Sequence, residues 1–170
     1  VWCLSAVMLQ AARVDTVLVR SAAMNKDVKV VYVLPDKAIG KQACPVVYLL
    51  HGYGGNARSW VQLKPELPQM ADEKGIIFVC PDGKNSWYWD SPENPAYRYE
   101  TFVTSELVKY TDGNYATIPD SKARAISGLS MGGHGALWSA IRHKDVFGAA
   151  GSMSGGVDIR PFPQNWEMNK

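Results

Sequence analysis

Hydrophobic and polar positions alternate along the first half of the chain in blocks that predict strands and one helix. The β-branched runs 14–19 and 28–34 are separated by a polar turn and predict an antiparallel pair. Residues 46–50 and 76–80 are continuous apolar runs, which are typical of strands buried on both faces. Between them, residues 67–74 predict a helix whose start is confined by neighbouring prolines.

The second half of the chain repeats this alternation. Apolar residues at near-helical spacing predict an amphipathic helix over residues 98–110. Residues 123–127 predict a short buried strand, residues 131–143 a helix, and residues 147–154 a further strand. This is the βαβ pattern of a mostly parallel sheet covered by helices, so the predicted fold class is α/β. No repeat or linker divides the chain.

Composition and charge argue against several classes of function. The 170 residues are 46% apolar and 20% charged, as in an ordinary globular domain. A net charge of +2, without a basic run, argues against a nucleic-acid partner. No apolar stretch approaches the length of a membrane span. The spacing of the three cysteines, Cys3, Cys44 and Cys80, is not that of a metal site, so the sequence implies no metal or cofactor. One disulfide bond between two of these cysteines is compatible with the sequence.

The first twelve residues are apolar and uncharged, and two interpretations of them stay open. They are either the remnant of a secretory signal peptide or a buried first strand or helix. The signal interpretation implies a secreted or periplasmic protein, and the alternative is a cytoplasmic one.

One motif carries chemistry. Gly128-Leu129-Ser130-Met131-Gly132 reads G-x-S-x-G and lies between a predicted strand and a predicted helix, the context of a nucleophile elbow. Such a turn exposes the serine hydroxyl, so Ser130 is the candidate nucleophile. Because Met131 opens the helix, its N–H lies near the positive end of the helix dipole and can bind an oxyanion.

A second glycine-rich segment follows the predicted strand at residues 46–50. It reads His51-Gly52-Tyr53-Gly54-Gly55, and glycines there allow the backbone to approach a ligand closely. In α/β sheets of this kind, the loop at this place supplies the second oxyanion donor. The alternative is a flexible turn without chemistry.

Together these segments resemble a known family. Residues 45–55, 81–83 and 127–137 are similar to the "putative esterase" family of α/β-hydrolases. That family includes esterase D (S-formylglutathione hydrolase), bacterial feruloyl, acetyl and tributyrin-type esterases, and the mycolyltransferases. The resemblance implies the three-layer α/β-hydrolase sandwich. It also implies that the backbone N–H groups of Tyr53 and Met131 form the oxyanion hole.

A catalytic base is not evident among the three histidines. We expect His51 to brace its turn, His134 to pack or cap behind Ser130, and His143 to lie on the surface. In the family, the acid and the histidine of the triad come from later loops, so we expect them outside this chain. Residues 13–170 are then the N-terminal portion of an esterase domain whose C-terminal part is absent. Within this chain, the one candidate for the triad acid is Asp158, in the loop after the last predicted strand.

Aromatic residues suggest how a substrate is held. Trp87, Tyr88 and Trp89 follow the predicted strand at residues 76–80, on the edge of the sheet where ligands bind. Their rings can stack on a phenolic acyl group or a sugar ring of a substrate. The alternative, which has equal weight, is that these three side chains pack in the core. The substrate-binding candidates are these three residues and three from the glycine-rich segment: His51, Gly52, Gly54, Trp87, Tyr88 and Trp89.

The sequence thus predicts a serine carboxylic-ester hydrolase that forms an acyl-enzyme on Ser130. We expect a small ester substrate with an acetyl, feruloyl or similar acyl group, carbohydrate-linked in some cases. The alternatives are an acyltransferase of the mycolyltransferase type and a non-catalytic carbohydrate-binding or structural relative. We expect the 170 residues alone to be inactive. An unpaired sheet edge would also favour homo-oligomers.

Overall fold

A computed structural model describes residues 12–158 and residue 160. The strands of this part of the chain are β1 Arg13–Ser21, β2 Lys26–Leu34, β3 Val46–Leu50, β4 Ile77–Pro81, β5 Arg124–Leu129 and β6 Ala149–Met153. The α-helices are α1 Asp36–Ile39, α2 Ser59–Leu63, α3 Leu67–Lys74, α4 Tyr99–Thr101, α5 Leu107–Asn114 and α6 Met131–Arg142. A π-helical turn, Phe102–Glu106, joins α4 to α5, and a 3-10 turn, Ser121–Ala123, precedes β5.

The strands form one sheet in the order β1-β2-β4-β3-β5-β6. β1 and β2 are antiparallel, as predicted, and β2 also pairs antiparallel with β4. β4, β3, β5 and β6 are parallel. In the register of β3 with β5, Leu50 pairs with Gly128, so the segments after these two strands emerge side by side. This confirms the predicted α/β fold with a mostly parallel sheet.

Helices cover both faces of the sheet because alternate strand residues point to opposite sides. Tyr48 and Leu50 belong to one buried cluster, together with residues of α5 and α6. Leu49 belongs to the cluster on the other face, together with Leu67 and Ala71 of α3. The result is a three-layer sandwich with two cores.

The predicted helix at residues 98–110 differs in detail from the structure. It runs over residues 99–114 and is interrupted by the π-helical turn. Phe102, Val103 and Thr104 are buried in succession within that turn. A π-helical turn has i→i+5 hydrogen bonds, so the side-chain period there departs from the 3.6-residue spacing on which the prediction rests.

The remaining sequence expectations have mixed outcomes. The predicted strand at residues 147–154 exists as β6, but four of its five residues are exposed at the edge of the sheet. Cys44 and Cys80 are buried and unbridged, while Cys3 lies outside the described residues. So does the proposed signal remnant at residues 1–12, apart from the buried Ala12. Among the described residues, no helix has the length and apolar character needed to cross a membrane.

Candidate active site

Ser130 occupies a strained turn between β5 and α6. Its backbone has φ 54° and ψ −115°, a sparsely populated positive-φ conformation that costs a residue with a side chain about 1–3 kcal/mol. Two hydrogen bonds hold it there: the Ser130 N–H donates to the Met153 carbonyl at 2.8 Å, and the Ser130 carbonyl accepts from the His134 N–H at 3.0 Å. The sequence motif therefore forms the sharp strand-to-helix turn that it predicts.

The two glycines of the motif allow α6 to lie directly against the sheet. A Cβ added to Gly128 would lie 2.3 Å from the carbonyl of Gly132, and one added to Gly132 would lie 2.2 Å from the Leu50 carbonyl oxygen. Both obstacles are backbone, which cannot rotate away as a side chain can. Glycine at these positions is therefore a requirement of the elbow and not a matter of loop flexibility.

The glycine-rich segment at residues 51–55, which we call the oxyanion loop, abuts the elbow. A Cβ on Gly52 would lie 3.6 Å from the Ser130 Cβ and 3.3 Å from the Leu129 carbonyl oxygen. Tyr53 follows directly, with 47% of its surface exposed. Met131 is fully buried and is the first residue of α6. The structure thus brings the segments of both predicted oxyanion donors next to Ser130.

His51 is a structural brace, as its predicted place in the turn suggests. It is 2% exposed. Its Nδ1 donates to the Gly52 carbonyl at 2.7 Å, and its Nε2 accepts from the Gly83 N–H at 2.9 Å. Since both ring nitrogens are engaged in the core, the structure favours the bracing role of the His51 side chain over contact with a substrate.

Asp82 lies behind this brace, 3.6 Å from the His51 Nε2. Burial works to raise the pKa of Asp82, but the contacts with Lys84 outweigh it and hold that pKa well below its usual range. One Asp82 oxygen accepts from the Lys84 N–H at 2.9 Å and the other from its ammonium at 2.8 Å. Asp82 is an ionised turn residue, as its Pro-Asp-Gly context suggests.

His134 is enclosed by aromatic rings one helical turn after Ser130. Its Nε2 accepts from the Trp89 Nε1–H at 2.8 Å, and its Nδ1 donates to the Gly156 carbonyl at 2.8 Å. Trp87 and Trp89 contact it edge-on, and Trp138 stacks with it. Burial lowers the pKa of His134. The ring is neutral and packed, as predicted for a packing or capping group.

His143 is not the simple surface residue that we expected. Its Nε2 lies 2.8 Å from the Glu100 carboxylate, which also accepts from the Trp138 Nε1–H and the Arg142 Nε–H. Burial works to raise the pKa of Glu100, but these three donors bring it below its usual range. Glu100 was not among the residues predicted from the sequence. The only signal was a carboxylate on the apolar face of the predicted helix, where an ionised group needs partners.

Of the three aromatic candidates, Tyr88 belongs to the core. It is fully buried, and its hydroxyl donates to the His51 carbonyl at 3.2 Å. These contacts favour the core-packing alternative for the Tyr88 side chain over contact with a substrate. Trp87 is 4% exposed and Trp89 is half-buried, yet both border an open cavity of about 590 Å³ that Asn85 and Tyr97 also line.

Asp158 does not reach a histidine among the contacts of the described residues. Its carboxylate accepts from the Arg160 guanidinium at 2.7 and 2.8 Å, and both residues are exposed. The guanidinium lowers the pKa of Asp158 to about 2. Within the described part of the chain, no group of three His, Cys, Asp or Glu side chains could hold a metal ion.

The chain is similar to known proteins of one family. A family model described as "Putative esterase" matches residues 21–169. An acetyl esterase of Caldicellulosiruptor saccharolyticus is 29% identical over 136 residues, which is 75% of this chain and 50% of that protein. The diacylglycerol acyltransferase/mycolyltransferase Ag85A of Mycobacterium gordonae is 34% identical over 155 residues, 85% of this chain and 43% of that protein.

A solved structure of a ferulic acid esterase superposes with a TM-score of 0.78 at 30% identity, covering 94% of this chain and 66% of that one. The chain spans about half the length of the curated relatives named above.

Proposed function

The chain belongs to the putative esterase family, and from this premise we propose that the whole protein hydrolyses carboxylic esters through an acyl-enzyme on Ser130. One observation carries the proposal. Ser130 lies at a strand-to-helix turn with positive φ, and a Cβ placed on Gly52 of the oxyanion loop would lie 3.6 Å from the Ser130 Cβ. A serine hydroxyl presented in this way, beside main-chain donors, is the arrangement that acyl transfer requires.

In the proposed mechanism, the Ser130 Oγ attacks the ester carbonyl carbon while a base removes its proton. The carbonyl oxygen becomes an oxyanion, which accepts hydrogen bonds from the N–H groups of Tyr53 and Met131. The intermediate collapses, the alcohol leaves with a proton, and the acyl group stays on Oγ. Water then attacks the acyl-enzyme by the same steps, and the acid leaves.

The base is a group other than the three histidines of this chain. His51 and His134 use both ring nitrogens in contacts with the protein. His143 pairs with Glu100 beyond the far end of α6, a helix of 12 residues or about 18 Å. We therefore propose that the proton acceptor and its carboxylate partner come from outside these 170 residues.

For the substrate, we propose a small ester whose acyl group is acetyl or an aromatic acid. The names of the acetyl esterase and ferulic acid esterase relatives support these groups. The cavity bordered by Trp87, Trp89 and Tyr97 supports an aromatic or sugar ring, since tryptophan and tyrosine faces stack on such rings.

Acyl transfer to an alcohol is the second candidate function, and the similarity to Ag85A favours it. The two activities share every step up to the acyl-enzyme and differ in whether water or an alcohol attacks it. Partition of the products in the presence of added alcohols separates them.

The test of the proposed function is labelling of the whole protein with a fluorophosphonate, which reacts with activated serines. Mass spectrometry should find the adduct on Ser130, and Ser130→Ala should abolish it. Ser127→Ala and Ser154→Ala are the matched controls, since one serine lies in β5 and the other follows β6 with φ 52°. An adduct on Ser127 or Ser154 instead would refute the assignment.

A further inference from the structure

Asn85 joins two loops that are distant in sequence. The Gly54 N–H donates to the Asn85 Oδ1 at 2.8 Å, across 31 residues of chain. Asn85 lies in the loop after β4 and also lines the cavity that Trp89 borders. The Asn85 side chain thus connects the exposed end of the oxyanion loop to the wall of the cavity by a hydrogen bond.

The opposite end of the oxyanion loop is fixed in the core. The His51 ring accepts from the Gly83 N–H, and the His51 carbonyl accepts from the Tyr88 hydroxyl, both in buried surroundings. Tyr53 therefore lies between a buried anchor at His51 and an exposed one at Gly54.

Among the described residues, no packed neighbour faces the Cβ position of Gly54 at the exposed end of the loop. Gly54 has φ +76°, and a Cβ placed on it would find no atom within 4 Å. The Gly55 N–H donates to the Gly52 carbonyl at 3.0 Å and closes the turn that contains Tyr53 and Gly54. The bond from the Gly54 N–H to Asn85 adds a restraint from outside this turn and orients the peptide group between Tyr53 and Gly54.

We propose that Asn85 is a positioning residue for the oxyanion hole: by holding the Gly54 N–H, it keeps the Tyr53 N–H directed at the carbonyl oxygen of an ester on Ser130. This inference rests on the proposed function. Oxyanion donors act only when they lie about 2.7–3.1 Å from the developing charge. A loop that tilts at Gly54 loses that distance at Tyr53.

The experiment compares Asn85→Ala, Asn85→Asp and Asn56→Ala in the whole protein with p-nitrophenyl acetate. Asn56 is the matched control, because it is also exposed and its Oδ1 also accepts a backbone N–H at 2.8 Å, from Arg58 within its own turn. We expect Asn85→Ala to lower kcat about tenfold and to leave KM within about twofold, because the oriented donor acts on the transition state.

Asn85→Asp keeps an oxygen that accepts from Gly54, and at this exposed position its charge is screened. We expect its kcat to be closer to the wild-type value than to that of Asn85→Ala, and Asn56→Ala to stay within about twofold of wild type. The rate of phosphonylation of Ser130 should follow kcat across the variants. Amide exchange of Gly54 should be faster in Asn85→Ala.

A wild-type kcat in Asn85→Ala, or an equal loss in Asn56→Ala, would overturn the positioning role while leaving the proposed function intact. If Ser130 of the wild-type protein is not labelled and Ser130→Ala keeps full turnover, the proposed function itself fails. The two failures are therefore distinguishable.

Discussion

The indole Nε1–H of Trp89 donates to the Nε2 of His134 at 2.8 Å, and this bond fixes the state of the histidine nearest to Ser130 in sequence. Because an indole nitrogen only donates, Nε2 must be the acceptor and the ring proton must sit on Nδ1, which donates to the Gly156 carbonyl. His134 has no nitrogen left to accept a proton from Ser130. It stabilises the wall beside the site instead.

His134 should make stability depend on pH. Burial places its pKa below the ordinary value of 6.5, so the unfolded chain binds a proton more readily than the folded one. Above pH 6.5 the ring is neutral in the folded and the unfolded chain, and the fold is fully stable with respect to this group. As the pH drops from 6.5 through the lower pKa of the folded state, the unfolded chain takes up the proton first and the free energy of unfolding falls. Urea unfolding at pH 7.5 and 5.5 should show a larger loss in wild type than in His134→Gln. An equal loss in both would contradict this role.

The elbow glycines should tolerate no side chain. Gly132→Ala places a methyl group 2.2 Å from the Leu50 carbonyl oxygen, so α6 must move away from the sheet. We expect a loss of about 3 kcal/mol in the free energy of unfolding, together with loss of Ser130 labelling. Gly113→Ala is the control: no atom lies within 4 Å of its Cβ, and it sits in α5. That variant should be neutral or stabilised by up to about 1 kcal/mol in urea unfolding.

Strain at Ser130 should appear as a stability difference between two inactive variants. Ser130→Gly and Ser130→Ala both remove the hydroxyl, but only glycine adopts φ 54° without steric cost. We expect the glycine variant to be more stable than the alanine variant by about 1 kcal/mol in thermal or urea unfolding. Equal stabilities would mean that the turn relaxes around an alanine and stores no strain.

The long elements of this fold follow from sequence pattern because burial imposes a clear period. The run Val46–Leu50 is apolar throughout since Tyr48 faces one core and Leu49 the other. The predicted helix Leu67–Lys74 has the bounds that the structure gives it. The helices Asp36–Ile39 and Ser59–Leu63 were missed, because four or five residues are too few for a 3.6-residue period to appear.

The loop after β4 resists prediction for a different reason. Lys84, Trp87 and Tyr88 all have positive φ, so side chains there follow neither the strand nor the helix period. The sequence pattern of this loop does not distinguish the buried Tyr88 from the half-buried Trp89. The Gly54–Asn85 contact is equally hidden, since it depends on how two irregular loops meet.

Main-chain donors should make the Tyr53 side chain dispensable. In the proposed mechanism the oxyanion is bound by the Tyr53 N–H, which Tyr53→Ala retains, and the ring is about half exposed. We expect kcat to change less than about fivefold, whereas loss of one oxyanion donor costs roughly 100-fold or more. A crystal structure of the Ser130 phosphonate adduct should place one phosphoryl oxygen within hydrogen-bonding distance of the Tyr53 and Met131 nitrogens. Two N–H groups that point away from that oxygen would contradict the assignment.

The 170 residues expressed alone should be a feeble esterase. A serine without a base keeps its proton at neutral pH, and the three histidines of this chain are committed to Gly52 and Gly83, to Trp89 and Gly156, and to Glu100. Oxyanion donors and substrate binding alone still leave some rate above that of water, so the expected activity is small and not zero. Turnover of p-nitrophenyl acetate by this chain should therefore lie at least about a thousandfold below that of the whole protein. Activity comparable to the whole protein would mean that one of these histidines leaves its partners to serve Ser130, and His51→Gln, His134→Gln and His143→Gln would then identify which.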